Sequence, residues 1–339
     1  MSIPEQNFSI SVVIPTYNRA DTLKLTLEAY MRQTVRSNLF EIIVIDDGST
    51  DHTQDLLRSL RPLLPYHLRV QFQENQGPGA ARNWAIGQAA SPLILITGDD
   101  IIPHEDLLWE HLLYHTQFPD TTNAMVGKVE WDPNIPLSFL MHFITEVTDY
   151  QFGFHRITDS ENVSPGFFYT SNISLKTEML RKHPGFHPAF IHAAFEDIEL
   201  GVRLHKSGMR LRYRKNAIGF HHHKITLDSF CGRQHKVGQM QVVFNKLLNE
   251  GSVSKNQAAT LQELETERKN IVEDLLKLVK LSQESKIDTY ADGPLDAVPE
   301  NLKQILPHLV VPHLDGYRKL GEIDYKLKLI KEASPVSII

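Results

Sequence analysis

The sequence predicts an α/β protein with a mostly parallel sheet flanked by helices, followed by a C-terminal helical region. Short, continuous apolar runs alternate with helical stretches in the first part of the chain, which is typical of parallel strands covered on both faces. This alternation fades after about residue 137, and from about residue 228 apolar residues recur almost only at helical spacing. The two patterns together predict one large α/β region and a smaller helical one.

The individual elements follow from these runs and from the residues that end them. Strands are predicted at Ile10–Ile14, Glu41–Ile45, Leu68–Phe72 and Leu93–Thr97. Helices are predicted at Asp21–Met31, Thr53–Leu60, Gly79–Ala89 and Thr260–Leu281. The tail from Asn301 to Ile330 is predicted to form short helices broken by Pro307, Pro312 and Gly316.

The composition indicates a globular protein and bounds its partners. Of 339 residues, 35 are basic and 41 acidic, and a net charge of −6 argues against a nucleic-acid partner. A single cysteine, Cys231, excludes an intrachain disulfide and fits a reducing compartment. The N-terminus lacks a signal-peptide pattern, and no apolar run has the length of a transmembrane segment. We therefore expect a cytoplasmic protein, and peripheral contact with the inner face of the membrane stays open.

Polar clusters follow three of the predicted strands. They are Thr16–Arg19, Asp46–Asp51 and Gly98–Asp100. The carboxyl ends of parallel strands share one edge of a sheet, and ligands bind there. We therefore expect the three clusters to converge.

The acidic pair Asp99–Asp100 has two interpretations. A hard divalent cation takes one or two carboxylates together with substrate phosphates, and it stabilises a departing diphosphate. The alternative is a solvated turn, or a cap for a helix that begins near Pro103. The pair alone does not decide between them.

Four segments together resemble the family 2 glycosyltransferases, which have the GT-A fold. They are SVVIPTYNR (11–19), IIVIDDGSTD (42–51), NQGPGAARNWAI (75–86) and LILITGDDIIP (93–103), in the family's order and spacing. The resemblance implies a catalytic domain at residues 1–225, with a nucleotide-binding half at about 1–103 and an acceptor half at about 104–225. Residues 226–339 then form the helical region. The chain departs from the family at Gly98, which occupies the first position of the usual Asp-x-Asp motif.

The resemblance also implies an activity. The chain would be a hexosyltransferase-like, inverting enzyme that transfers a sugar from a nucleotide-diphosphate sugar to an acceptor hydroxyl in bacterial-type glycan or glycoconjugate synthesis. Mn²⁺ or Mg²⁺ would be its cofactor, and a UDP-sugar is the default donor. One alternative is a sugar nucleotidyltransferase, although PTYNR stands where that class carries a basic, glycine-rich loop. The other is a catalytically inactive, sugar-nucleotide-binding or scaffold protein. The identity of the acceptor stays open, and so does the formation of a homo-oligomer through the helical tail.

The resemblance assigns the nucleotide to the first two polar loops. Pro15, Tyr17 and Arg19 would lie beside the base and ribose, and Asp47 would accept a hydrogen bond from a pyrimidine ring, with Asp46 close by. Chemically, a tyrosine ring can stack on a base and a carboxylate can accept from an N–H edge. The alternatives are partial burial for Tyr17 and an Asx-turn for either aspartate.

Metal ligands are expected from two segments. By resemblance, Asp100 is the principal ligand and Asp99 a supporting or ribose contact. Neighbouring side chains of an extended chain point to opposite faces, so at most His221 and His223 of the three consecutive histidines share one face. The resemblance places a histidine here near the donor diphosphate or on the metal, and His221 is the first choice, with His223 second.

The remaining candidates lie in three later segments. Arg82 follows a glycine-containing turn whose N–H groups favour anions, so it is a candidate for the diphosphate. By resemblance, Ser171 and Asn172 lie near the donor sugar. Glu196 and Asp197 resemble the family's Glu-Asp motif, with Asp197 as the general base and Glu196 as an acceptor contact or alternative base. In the simpler interpretation, these two acids only stabilise a helix start.

Overall fold

In a computed structural model, the chain is described for residues 10–249 and 261–333. It divides into two compact units. The first comprises the described residues up to Ile135 together with Phe152–His223. The second comprises Pro136–Gln151 together with the described residues from Lys224 onward. The domain boundary expected near residue 225 stays a prediction.

The first unit contains an eight-stranded sheet, and the second is helical. The strands are β1 (Ile10–Thr16), β2 (Phe40–Asp46), β3 (His67–Phe72), β4 (Leu93–Thr97), β5 (Ile101–Pro103), β6 (Asn123–Trp131), β7 (Asn172–Lys176) and β8 (Arg210–His221). The helices are α1 (Ala20–Tyr30), α2 (Thr53–Leu60), α3 (Pro78–Gln88), α4 (Leu107–Gln117), α5 (Phe139–His142), α6 (Thr177–Arg181), α7 (Glu196–Lys206), α8 (Leu227–Asn249), α9 (Leu261–Ser285), α10 (Ile287–Ala291) and α11 (Glu300–Ala333). The strands and helices predicted in the first hundred residues lie within two residues of these bounds.

The sheet has the strand order β3-β2-β1-β4-β7-β6-β8-β5. Strands β1 to β4 run parallel, β7 lies antiparallel between β4 and β6, β8 is parallel to β6, and β5 is antiparallel to β8. The predicted class, a mostly parallel sheet flanked by helices with a C-terminal helical region, is confirmed. Because β1, β2 and β4 are parallel neighbours, their carboxyl ends meet at one edge.

The central strands are buried on both faces, which explains their continuous apolar runs. In β1, Val12 and Val13 are both fully buried but belong to separate hydrophobic clusters on opposite faces of the sheet. Helices α1, α2 and α4 contribute to the first cluster, and α3, α6 and α7 contribute to the second. The two layers hold the central strands rigidly, and they fix the edge at which the polar loops meet.

Helix α11 differs from the prediction of short helices between residues 301 and 330. It continues through Pro307 and Pro312 as a single helix. A proline removes one intrahelical hydrogen bond and kinks a helix, but a helix that packs against neighbours retains its remaining bonds through such a kink. Gly316 does not end the helix either, because it brings α11 against α9, where an added Cβ would lie 2.7 Å from Leu275 Cδ2.

Helices α8 and α11 make direct backbone contact. A Cβ on Gly238 would lie 1.8 Å from the carbonyl oxygen of Arg318, and a Cβ on Gly321 would lie 1.8 Å from that of His235. Only glycine permits so close an approach at these two points. Within the described part of the chain, no helix is both long and apolar enough to cross a bilayer.

Candidate active site

The loops after β1 and β2 are joined by one asparagine. Asn18 Oδ1 accepts hydrogen bonds from the backbone N–H groups of Thr50 (2.7 Å) and Asp51 (3.3 Å), and the Asn18 N–H donates to Ser49 Oγ at 2.8 Å. Asn18 has a φ of 53°, a left-handed conformation that asparagine tolerates better than most residues. Two of the three predicted polar clusters therefore converge as expected, through a residue that the sequence did not single out.

The two aspartates after β2 are both buried but differ in their partners. Asp46 Oδ1 accepts from the Ser49 N–H at 2.8 Å, which is the turn contact expected in the simpler interpretation. Its other oxygen, Oδ2, is buried and has no hydrogen-bond partner among the described residues. Both oxygens of Asp47 accept from the following loop, from Gln73 Nε2 and from the Gln76 and Gly77 N–H groups. Asp47 therefore shapes that loop, and base recognition by either aspartate stays a prediction.

Tyr17 and Pro15 lie at the same edge of the sheet. The Tyr17 ring is 47% exposed, while Pro15 is half-buried at the end of β1. An exposed ring at the carboxyl edge of a parallel sheet is available for stacking.

Asp100, His221 and His223 form a cluster of donor atoms that lie within 4.8 Å of one another. His221 Nε2 is 3.3 Å from Asp100 Oδ2, and His223 Nδ1 is 3.8 Å from the same oxygen. The pairing of β5 with β8 produces this arrangement, because Ile101 lies opposite His221 and the His222 N–H donates to the Asp100 carbonyl at 2.8 Å. The expected alternation of side chains is present, since His222 points elsewhere and bonds Asp132 at 2.7 Å.

Aromatic neighbours hold the His221 ring in place. Trp131 stacks on it at 5.1 Å, His223 stacks at 5.5 Å, and Phe152 meets it edge-on at 5.6 Å. Phe152 has a φ of 61°, and such a backbone conformation is strained for a bulky residue. His221 Nδ1 is buried without a hydrogen-bond partner among the described residues, so the ring is held by this packing and by the contact of its Nε2 with Asp100 Oδ2.

Asp99 and Asp100 differ in their environments. Asp99 is buried, its Oδ2 accepts from Thr16 Oγ1 at 2.7 Å, and its backbone carbonyl accepts from Thr26 Oγ1 at 2.7 Å. Burial and the adjacent Asp100 charge raise the pKa of Asp99 despite the opposing charge of Arg19. Burial also acts to raise the pKa of Asp100, but His221 and Arg19 outweigh it and hold that pKa well below its ordinary value. Asp100 is therefore the stronger acid of the pair.

Arg19 connects the loop after β1 to both acids. Its Nη1 lies 3.3 Å from Asp99 Oδ1 and donates to Asp100 Oδ2, and its Nη2 lies 3.4 Å from His223 Nδ1. The third polar cluster therefore also reaches the shared edge. Gly98 fits this crowding, because a Cβ there would lie 2.8 Å from Asp100 Oδ1.

Glu196 and Asp197 begin α7, and Arg82 of α3 reaches them. Arg82 Nη1 donates to Glu196 Oε1 at 2.9 Å, and both residues are buried. Asp197 accepts from the backbone N–H groups of Ile198 at 2.8 Å and Thr170 at 3.4 Å. The structure thus pairs Arg82 with the acidic motif, and its predicted contact with the diphosphate stays a prediction.

Burial shifts the protonation of this acidic motif. Burial and then the charge of Asp197 raise the pKa of Glu196 to about 7, against the opposing charge of Arg82. Burial likewise raises the pKa of Asp197, and Arg82 again opposes the shift. A carboxyl pKa near neutrality, as at Glu196, is typical of groups that accept and release protons in catalysis.

Ser171 and Asn172 lie where β7 begins, but their side chains differ in their hydrogen bonding. Asn172 Nδ2 donates to the carbonyls of Lys128 and Ala217, each at 2.9 Å, and its Oδ1 bonds His111 Nε2 at 2.9 Å. Its side chain therefore joins strands and α4 within the core. The Ser171 hydroxyl is buried and has no hydrogen-bond partner in the described part of the chain. The role of both residues near a donor sugar stays a prediction.

Comparison with known proteins identifies the family. A family model described as glycosyl transferase family 2 matches residues 11–183, just over half of the 339-residue chain. The chain belongs to this family. The match includes all three polar loops and Ser171 and Asn172, whereas Glu196, Asp197, His221 and His223 lie beyond its end. The family match therefore covers the three polar loops and the start of β7, but not the acidic motif of α7 or the histidines at the end of β8.

Several relatives share this family 2 region. Validoxylamine A glucosyltransferase from Streptomyces hygroscopicus subsp. jinggangensis (strain 5008) is 31% identical over an alignment 233 residues long, which covers 62% of this chain and 54% of that protein. Chondroitin synthase from Escherichia coli is 26% identical over an alignment 240 residues long, which covers 62% of this chain and 34% of that protein. The chain thus spans about half or less of the length of these relatives.

Solved structures share the fold. The mannosyltransferase PcManGT from Pyrobaculum calidifontis, in complex with GDP-Man and Mn²⁺, superposes with a TM-score of 0.54 at 18% identity, over 98% of this chain and 77% of that one. S. aureus TarS 1-349 gives a TM-score of 0.51 at 17% identity, over 96% and 92% of the two chains. At these identities the likeness shows the fold, and it supports the GT-A type predicted from the sequence.

Proposed function

We propose that this chain is a metal-dependent, inverting glycosyltransferase that transfers a sugar from a nucleotide-diphosphate sugar to an acceptor hydroxyl. The observation that carries the proposal is the cluster of Asp100, His221 and His223, with donor atoms within 4.8 Å, at the edge where the family 2 loops converge. The named relatives at 31% and 26% identity transfer or polymerise sugars by their names, which supports the reaction class. The catalytic domain is assigned to residues 1–225.

The residues of the cluster fit a divalent cation. One carboxylate and two imidazoles suit a first-row ion such as Mn²⁺ better than Mg²⁺, which prefers oxygen ligands. His221 faces Asp100 with Nε2, and its other ring nitrogen, Nδ1, is buried with no hydrogen-bond partner in the described part of the chain. When bound, the cation would supply positive charge to the diphosphate as it departs. The PcManGT complex also makes Mn²⁺ the first ion to test.

The chain's own residues account for binding and proton transfer. Tyr17 stacks on the base, while Asp46 and Asp47 supply acceptors at its edge and Asp99 reaches the ribose. Asp197 takes the proton of the acceptor hydroxyl. At the same time the hydroxyl oxygen bonds to the anomeric carbon of the donor sugar, and the bond from that carbon to the diphosphate breaks. Glu196, held by Arg82 at 2.9 Å, orients the acceptor beside this base.

The cation assignment is tested with Asp100→Ala. Nucleotide-sugars with Mn²⁺ are first screened for thermal stabilisation, and the release of nucleoside diphosphate by donor hydrolysis is then measured. We expect Asp100→Ala to lose the Mn²⁺-dependent stabilisation and to lower hydrolysis by about 10²-fold or more, while its fold is retained.

The matched control is Asp55→Ala, because Asp55 is a surface aspartate whose side chain is 81% exposed. This control should behave like the wild-type protein in both assays. Full activity of Asp100→Ala, or of the wild-type protein in excess chelator, would refute the metal-dependent mechanism.

A further inference from the structure

Arg19 occupies a central place among the groups that the proposed cation would need. Its Nη1 donates to Asp100 Oδ2, the oxygen that lies 3.3 Å from His221 Nε2 and 3.8 Å from His223 Nδ1. Its Nη2 lies 3.4 Å from His223 Nδ1. One guanidinium thus contacts Asp100 and His223 of the cluster and also reaches Asp99 at 3.3 Å.

A divalent cation at Asp100 Oδ2 would compete with this guanidinium. A cation lies roughly 2.0–2.6 Å from a carboxylate oxygen, and a nitrogen that donates a hydrogen bond to the same oxygen lies roughly 2.7–3.2 Å from it. The two positive groups would then be in near contact in a partly buried setting, where water screens their repulsion only weakly. A cation that binds there would therefore weaken the contact of the Arg19 guanidinium with Asp100.

Arg19 has room to move. Its side chain is 37% exposed, whereas the side chains of Asp99 and Asp100 are 9% and 15% exposed, so the arginine is the member of the trio with the most space around it. It stands directly before α1, at the edge where the nucleotide loops converge. An arginine released from two carboxylates needs another anion, and its planar fork suits a phosphate.

We propose that Arg19 is an exchangeable counter-ion of the Asp99–Asp100 pair, which competes with the divalent cation for Asp100 and binds the nucleoside diphosphate once the cation has displaced it. This inference rests on the metal site of the proposed function. It has a thermodynamic consequence, because the cation frees the arginine and the diphosphate then stabilises it in its new position. Cation and nucleoside diphosphate should each raise the affinity for the other by the same factor.

Direct binding of Mn²⁺ tests the exchange without any turnover. Free Mn²⁺ is measured by electron paramagnetic resonance during titration of the wild-type protein, Arg19→Gln and Arg19→Lys, each with and without saturating UDP or GDP. We expect Arg19→Gln to bind Mn²⁺ alone on the order of tenfold more tightly than the wild-type protein, and the enhancement by nucleotide to shrink by a similar factor. Arg19→Lys keeps a competing cation and should stay near the wild-type affinity for Mn²⁺ alone.

Arg58→Gln is the matched control, because Arg58 is an exposed arginine that also pairs with an aspartate, Asp55, at 2.9 Å. It should leave both affinities unchanged. The exchange is refuted if Arg19→Gln binds Mn²⁺ no more tightly than the wild-type protein and retains the full nucleotide enhancement. A failure of the metal site itself looks different, because the wild-type protein would then bind no Mn²⁺ with either nucleotide, or Asp100→Ala would bind it equally well.

Discussion

At the residue scale, two adjacent aspartates acquire different chemical properties from their neighbours. Asp99 is held by Thr16 and has a raised pKa, whereas Asp100 faces His221 and Arg19 and has a lowered one. Two carboxylates this close resist ionising together, so the positive neighbours decide which one carries the charge. The stronger acid, Asp100, is also the one whose oxygen faces both histidines, which suits it to bind a cation.

The second acidic pair leads to a prediction about pH. Asp197 acts as a base only when ionised, and burial raises its pKa, so donor hydrolysis should fall as the pH is lowered through a value above that of a free carboxyl, about 4. Asp197→Asn should lower hydrolysis by about 10²–10⁴-fold while donor binding is retained. Glu196→Gln removes a negative neighbour of Asp197 and leaves the positive charge of Arg82, so the pKa of Asp197 should fall. The acid limb of the pH–rate profile should then move to lower pH.

The pH–rate profile of each variant checks this prediction. Glu178→Gln is a suitable control, because the Glu178 side chain is exposed. Among the described contacts, it forms an ion pair only with Lys182, four residues later in the chain. Wild-type turnover by Asp197→Asn would exclude it as the base. An acid limb that stays in place in Glu196→Gln would show that the two carboxyls do not titrate together.

At the element scale, α8 offers a matched pair of glycines for testing helix contact. An alanine at Gly238 would place Cβ 1.8 Å from a backbone carbonyl of α11, whereas nothing lies within 4 Å of a Cβ at Gly232. Gly238→Ala should therefore lower the free energy of unfolding by about 1–3 kcal/mol. Gly232→Ala should raise it by about 0.5–1 kcal/mol, because alanine favours the helix. Denaturant unfolding measures both, and equal effects would argue against direct contact between α8 and α11.

The elements also show which patterns can be predicted from sequence. Strands β1, β2 and β4 are apolar on both faces, so each appears as a continuous run. Strand β7 carries buried Asn172, Ser174 and Lys176 on one face, because His111 and His115 of α4 supply their hydrogen bonds. Burial lowers the pKa of His111 to about 4, which keeps it neutral there. No local pattern reveals a polar strand face that is satisfied by a helix sixty residues away in the chain.

At the scale of the whole molecule, ligand binding should stabilise one edge of the sheet. A ligand at 100 times its Kd stabilises the state that binds it by about 2.7 kcal/mol. With UDP and Mn²⁺, hydrogen exchange should slow most in residues 15–19, 46–51, 98–100 and 221–223. Peptides covering α6, at the opposite end of β7, should change least. Uniform protection, or protection centred on α6, would contradict the proposed site.

The position of the site, but not its pairings, could be predicted from the sequence. Parallel strands bring their carboxyl ends together whatever the side chains are, so the convergence of three loops followed from the strand pattern alone. The pairing of Arg19 with Asp100 and that of Arg82 with Glu196 span 81 and 114 residues. Such contacts depend on rotamers and loop conformations that a single sequence does not specify.

Two phenylalanines, Phe152 and Phe195, have a left-handed backbone conformation. Phe152 and Phe195, with φ values of 61° and 64°, each carry a backbone cost of about 1–3 kcal/mol that glycine would not. Phe152 packs on His221, and Phe195 directly precedes Glu196. Glycine would remove this backbone cost, but at Phe152 it would also remove the ring that packs on His221. The strained backbone is therefore kept together with the ring contacts that depend on it.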